Sequence, residues 1–277
     1  MQYSFFRLGV ALSASCVVAA AGTASAGINV SNGAARFTTQ TSDAGASPVY
    51  VVGYNQAINF SPPSPGDFGF VFATTPTELR PMTDNGLGDY YAQQSSVDES
   101  SEPVLQPTGL YTFSVEGGTL GDGQVSFTQP SLSFPSILSL TNYSSLLAAD
   151  PAADFMGNLT AFTVDPSWSL ALTYIQLTNQ TTNTGAFSAT LGPGDSLFAL
   201  PSGTLDLCDS YPLRLQTISY KDLETFNAFG TLADATAYTN RVSITDITFT
   251  ALPTPGSAAI LGLAALAGAR RRRVNLH

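Results

Sequence analysis

The chain reads as an all-β protein: a β-sandwich or jelly-roll-like single domain set between two terminal signals. Three observations carry that expectation. Short apolar runs alternate with polar residues in twos, the period of a half-buried strand. Gly, Pro, Asn and Ser clusters separate those runs at short intervals, as in sandwiches and jelly rolls. Helical stretches are few and short.

In chain order, Ser61 to Gly66 is a Pro-rich loop and Asp84 to Gln106 an acidic, polar one, longer than compact domains usually carry. Tyr111, Phe113 and Val115 then alternate with Thr112, Ser114 and Glu116 as a strand. Gly117-Gly118 and Gly121-Asp122-Gly123 break the chain, and Val125 and Phe127 resume the alternation, which predicts a hairpin with a longer loop. Asp150-Pro151 predicts a short helix through Met156, with Pro at its first position. Ser169 to Thr178 has apolar residues on both parities, the pattern of a central strand buried on both faces. Phe187 to Leu191, Ser196 to Leu200 and Leu213 to Tyr220 are further strands, and Leu223 to Phe229 a turn of helix. In Arg241 to Thr250, Val242 and Ile244 share one parity while Ile247 and Phe249 share the other. A β-bulge near Thr245-Asp246 would put all four on one face. One continuous sandwich is expected, with a split near residue 105 as the alternative.

Charge narrows the partners. Between Gly27 and Leu252 stand five basic and all twenty acidic residues, a net of −15. Such a surface stays soluble and repels nucleic acid, whose recognition needs a basic footprint. Only Cys208 lies in this body, so it forms no internal disulfide, and burial as a small hydrophobe is the expectation for it. About 225 residues suffice for a core without cross-links.

Catalytic constellations fail mostly for want of histidine. His277 is the only one, beyond the body. Ser-His-Asp and Cys-His arrangements lack a base, and His-based zinc or copper sites lack ligands. No phosphate-binding G-x-x-x-x-G-K-[ST] occurs. Paired carboxylates could still serve a glycosidase, but Asp154, Asp165, Asp195 and Asp206 stand beside turn residues, where Asp forms turns. No enzymatic activity and no required cofactor are expected. Calcium is the one possible ion. Asp84, Asp89, Asp98, Glu99 and Glu102 concentrate hard oxygens on loops without EF-hand spacing. Gly117 to Asp122 resembles a single irregular copy of a calcium β-roll repeat, a motif that works as an array. For carbohydrate, Tyr90, Tyr91 and Trp168 are the candidate aromatics, with Tyr211 and Tyr220 also available; a core role is the simpler expectation for Trp168.

The termini carry addresses. Arg7, the apolar run Leu8 to Ala21 and the small-residue site Ala24-Ser25-Ala26 make residues 1–26 a signal peptide for signal peptidase, leaving Gly27 as the mature start. Cys16 lies inside the apolar run with Ser13 three residues before it, and belongs to the discarded peptide. At the other end, Pro253-Thr254-Pro255-Gly256 is followed by an apolar run to Ala269 and then by Arg270, Arg271, Arg272 and Arg273. Ala251 to Ala269 nearly reaches the roughly 20 apolar residues of a membrane span, and the arginines would hold its end in the cytoplasm. A lipid-anchor tail would end in its hydrophobic segment instead, and a permanent tail anchor is the alternative reading.

This end resembles a PEP-CTERM sorting segment, with Pro-Thr-Pro where the family usually has Pro-Glu-Pro. The resemblance covers about the last 25 residues, 253–277. It implies recognition by an exosortase, a membrane transpeptidase-like protease that cuts near the proline motif. It also implies a bacterial exported protein associated with extracellular polysaccharide, transiently anchored by its C-terminal helix and then released to the surface. It implies nothing about residues 27–252. The expected function is therefore structural or adhesive. The alternatives are a calcium-assisted carbohydrate-binding module and a carboxylate-dependent glycan-active enzyme.

Overall fold

Val, Ile, Thr and aromatic residues suit a pleated, half-buried surface, and in the computed structural model nearly all the apolar runs are strands. The structure describes residues 28–60, 69–84, 89–96, 99–117, 122–230 and 235–251. Both terminal signals, the Ser61 to Gly66 loop and Asp98 lie outside the described residues.

The strands are β1 (Ile28–Gln40), β2 (Ala46–Phe60), β3 (Phe70–Thr74), β4 (Leu79–Pro81), β5 (Thr83–Asp84) and β6 (Asp89–Ser96). After a 3-10 turn (Glu99–Ser101) and the short α1 (Glu102–Leu105) come β7 (Gly109–Glu116) and β8 (Gly123–Gln129). Helix α2 (Tyr143–Leu147) precedes β9 (Phe155–Asn158), β10 (Leu170–Asn179), β11 (Thr184–Leu191), β12 (Leu197–Leu200), β13 (Ser210–Leu223), β14 (Thr225–Gly230) and β15 (Ala235–Thr250). An eight-stranded sheet runs β11-β10-β13-β15-β1-β2-β6-β5. On one face of it lie a five-stranded sheet, β14-β8-β7-β3-β4, and the two-stranded ribbon β12-β9. Among the described residues all strand pairings are antiparallel except β1 with β15.

β15, sixteen residues or about 50 Å long, explains the layout. Its odd-numbered residues face the smaller sheets. Ala235 and Ala237 join Val30, Ile58, Tyr111, Phe113 and Phe127 in one core, and Ile247 and Phe249 join Ile175, Leu177, Leu213, Phe155 and Phe198 in another. Between the two cores the same face is polar and buried: Thr239, Arg241, Ser243 and Thr245, with Thr38 and Gln40 from β1. The connection from β8, residues 130–139, crosses over this belt and satisfies it with backbone carbonyls. Ser243 Oγ donates to Pro135 O at 2.8 Å and Thr245 Oγ1 to Leu138 O at 2.6 Å. Gln40 closes a two-way bond with Leu140, donating to its carbonyl at 2.7 Å and accepting from its N–H at 2.8 Å.

Several expectations need correction. There is no bulge near Thr245-Asp246, because β15 keeps unbroken register with both neighbours. Val242 and Ile244 instead face the other side, clustered with Ala35 and Phe37, so both parities are apolar because both faces are used. β10 is buried on one face only: Ala171, Thr173, Ile175 and Leu177 are covered while Leu170 is exposed, and it lies next to the sheet edge rather than at its centre. Asp150-Pro151 forms a turn closed by Ala152 N donating to Asp150 Oδ1 (2.9 Å), and Met156 belongs to β9. Leu223 to Phe229 is the end of β13 and most of β14. Asp84 to Gln106 contains β6 and α1 instead of being one loop. No boundary falls near residue 105, since the eight-stranded sheet takes strands from both sides of it.

Candidate functional site

Asp165-Pro166-Ser167-Trp168 is a turn built by the Asp side chain. Ser167 N donates to Asp165 Oδ1 (2.8 Å), and Trp168 N donates to Asp165 O (3.0 Å). Lys221 Nζ grips Ser167 O at 2.6 Å, and Ser133 Oγ reaches Asp165 Oδ2 at 3.3 Å. These bonds hold the turn against the 130–139 crossing, where Phe134 lies 5.2 Å from the Arg36 guanidinium and 5.9 Å from that of Arg241. Arg36 is itself fixed by Nε donating to Ser243 Oγ (2.7 Å) and by a bond to Pro135 O.

Turn and crossing together enclose an open recess of about 400 Å³, at the small end of ligand pockets of about 300–1,000 Å³. Ser133, Phe134, Ser136, Thr163, Asp165 and Trp168 line it. Hydroxyls and one carboxylate, set among two aromatic rings, two prolines and Val164, make it a hydrogen-bonding surface with apolar patches. Trp168, the only tryptophan, is 7% exposed, and its indole N–H is buried with no partner among the described residues. Asp165 is held below the usual carboxylate range, first by the Ser167 N–H, then by the Ser167 and Ser133 hydroxyls and by the Lys221 charge. It is ionised at neutral pH, and among the described residues it is the one carboxylate lining the recess.

No protein-family model and no curated protein sequence matches this chain.

The other aromatic candidates do not share one surface. Tyr90 is buried in the core beneath β7 and β8, whereas Tyr91, on the opposite face of β6, is 43% exposed. Adjacent strand residues point to opposite faces, so the pair cannot form one platform. Tyr211 is fully buried, its hydroxyl accepting from Asp206 N (2.7 Å) and Asn179 Nδ2 (3.2 Å). Tyr220 stacks on Tyr238 at 5.0 Å and donates to Asp222 Oδ1 at 2.7 Å. Burial, followed by the Asp222 carboxylate, pushes the Tyr220 phenol above its ordinary range.

Asp84 ends β5 and Asp89 opens β6, Glu99 opens the 3-10 turn and Glu102 opens α1. Among the described residues no group of three His, Cys, Asp or Glu side chains comes together as a metal site. Asp195 closes its own turn, accepting from Gly192 N (2.9 Å), whereas Asp154 reaches across to Ser202 N (2.8 Å), far along the chain. Gly117 N donates to Asp122 Oδ1 (2.8 Å) across the β7–β8 loop.

Cys208 is exposed, contrary to the burial expected of it. It occupies a left-handed position, φ 69°, in the turn entering β13, where its N–H donates to Ala251 O at 2.7 Å. Turn geometry places it outside the core. Phe134 had no signal in the sequence, because the crossing it sits on has neither a strand nor a helix period.

All five cations of the body are engaged in the fold. Arg80 pairs with Glu78 (2.7 Å) and lies over the Tyr54 ring at 3.7 Å, and Arg214 makes a two-pronged pair with Asp246 at 2.8 and 3.0 Å. With Arg36, Arg241 and Lys221 also holding backbone, the displayed surface is overwhelmingly acidic.

Proposed function

We propose that this is an exported structural or adhesive protein of a bacterial surface or its polysaccharide matrix, non-catalytic, processed at both ends by signal peptidase and an exosortase-type protease. One observation carries the proposal. Strand pairing sets Ile28, two residues past the proposed cut after Ala26, opposite Ala235 and Phe60. At the far end Ala251 is buried and clasped, its N–H donating to Asp209 O (3.0 Å) and its carbonyl accepting from Cys208 N. Both proposed cuts would leave these bonded ends, Ile28 and Ala251, on the body. Because β1 and β15 are parallel, Ile28 and Thr250 lie at opposite ends of the long strands. A body tethered through Pro253 thus holds its β7–β8 core away from the membrane.

The test is the intact mass of the natively exported protein with both termini sequenced. The expected product starts at Gly27 and ends near Pro253. Exported protein that keeps Arg270 to Arg273 would overturn the sorting assignment.

Carbohydrate binding is a second function favoured by a specific observation, the hydroxyl-lined recess beside Phe134 and Trp168. Since Trp168 is the only tryptophan, its fluorescence reports occupancy directly. Titration with matrix oligosaccharides should change the emission, and Asp165→Asn should weaken the response. An unresponsive Trp168 rules out binding in the recess.

A further inference from the structure

Sheet edges are templates for pairing, and natural proteins blunt them with charge, Pro, bulges or short length. Of the six edges among the described residues, β14 is six residues long and interrupted by a register shift between Asn227 and Phe229, and four follow that habit or present little strand. β5 is two residues long, and β4 is three residues containing Arg80 and Pro81. The β12–β9 ribbon offers only four residues a side.

β11 differs. It is the outer strand of the eight-stranded sheet and eight residues long, Thr-Gly-Ala-Phe-Ser-Ala-Thr-Leu. It carries no charge and no proline, and no charged residue occurs anywhere between Asp165 and Asp195. Its single irregularity, opposite Leu177 and Thr178, lies near its N-terminal end, leaving Phe187 to Leu191 in regular register with β10. Among the described residues nothing pairs with its outer side, and a Cβ built on Gly185 would meet open space. Alternation places Phe187, Ala189 and Leu191 on the core face, where they are only partly buried because no strand lies beyond them.

We infer that β11 pairs antiparallel with β11 of a second copy, joining two eight-stranded sheets into one. Three features select a second copy as the occupant. An antiparallel edge pairing about a two-fold axis matches parity with parity, so Phe187, Ala189 and Leu191 of both copies fall on one face and extend the core across the junction. Two bodies that each carry −15 repel one another least where they meet through this uncharged hairpin, β10 and β11. A two-fold pairing uses β11 of both copies at once, so the association closes as a dimer and does not grow into a filament. One edge strand buries less than a permanent interface needs, so the dimer forms reversibly with concentration.

Sedimentation velocity over a rising concentration series tests this on the protein as it is exported, whatever its termini prove to be. A monomer–dimer equilibrium is expected. Hydrogen exchange at low and high concentration should show slowing confined to amides of β11. Ser188→Lys with Thr190→Lys, both at exposed positions of β11, sets like charges against each other across the two-fold and should leave only monomer, with unchanged circular dichroism. Ala161→Lys, at an exposed position outside the strands, should leave the dimer intact. A protein that stays monomeric throughout, or one that dimerises without protecting β11, overturns the inference. So does a folded double variant that still dimerises. The proposal is independent of the sorting assignment, which stands or falls on the terminal sequences alone.

Discussion

At the scale of single residues, the most consequential side chain is Asn32, wholly buried on β1 between the large sheet and the five-stranded one. Its Nδ2 donates to Gln129 Oε1 at 3.0 Å, while its Oδ1 accepts from Gln56 Nε2 (3.2 Å) and Gln106 Nε2 (2.8 Å). The four amides come from β1, β2, β8 and the end of α1, so one residue ties together elements of both layers. Removing one partner of a buried hydrogen bond costs about 1–3 kcal/mol because the other is left unsatisfied. Asn32→Ala strands three partners at once and opens a cavity. It should lose about 3 kcal/mol or more, read as a lower urea midpoint with unchanged slope. A loss below about 1 kcal/mol would mean the glutamines find other partners or water. Sequence could not expose this cluster. Asn32, Gln56, Gln106 and Gln129 are far apart in the chain, and an isolated amide reads as a surface residue.

At the scale of elements, the β9–β12 ribbon depends on a glycine. A Cβ on Gly157 would lie 2.2 Å from the Phe198 ring, which is 4% exposed and packs edge-on to Phe155 at 6.4 Å. Gly157→Ala must therefore displace a core ring, and overpacking of this kind costs about 1–3 kcal/mol. Proteolysis should then cut between Leu138 and Leu200 first, while the β7–β8 core stays protected. Uniform loss of protection would mean that the two cores unfold together. What sequence conveyed at this scale follows from local chemistry. The β7–β8 hairpin was legible because Tyr111, Phe113, Val115, Val125 and Phe127 are all fully buried on one face. β15 was legible as a strand but not in its packing, since a bulge and two-sided burial leave the same pattern of residues. The helix expected at Asp150-Pro151 failed because Asp150 satisfies its own turn. The recess was legible only at Trp168 and Asp165; its other wall, the crossing at Phe134, is positioned by Ser243, Thr245 and Arg36 from distant strands.

At the scale of the whole molecule, charge is the term that composition fixes and the fold leaves uncompensated. Five cations against twenty carboxylates give −15, and the described ion pairs, Glu78–Arg80 and Arg214–Asp246, engage two of the acids. The remaining carboxylates repel one another over distances that salt controls: the Debye length is about 30 Å at 0.01 M and about 8 Å at 0.15 M. Self-repulsion destabilises a compact state, and the unfolded chain relieves it by expanding. Screening should therefore favour the folded form. The Arg80 side chain is buried, so its pair with Glu78 is screened little. The partly exposed Arg214–Asp246 pair is worth about 0–1 kcal/mol, too little to reverse the sign. Raising NaCl across that range, with a chelator present to remove divalent ions, should lift Tm by about 2–4 °C, the shift that about 1 kcal/mol produces in a domain of this size. The same salt should strengthen β11-mediated dimerisation, because two like-charged bodies approach more easily when screened. A Tm that falls with salt would show that attraction through the five cations outweighs repulsion among the carboxylates, and the acidic surface would then have to be read as paired.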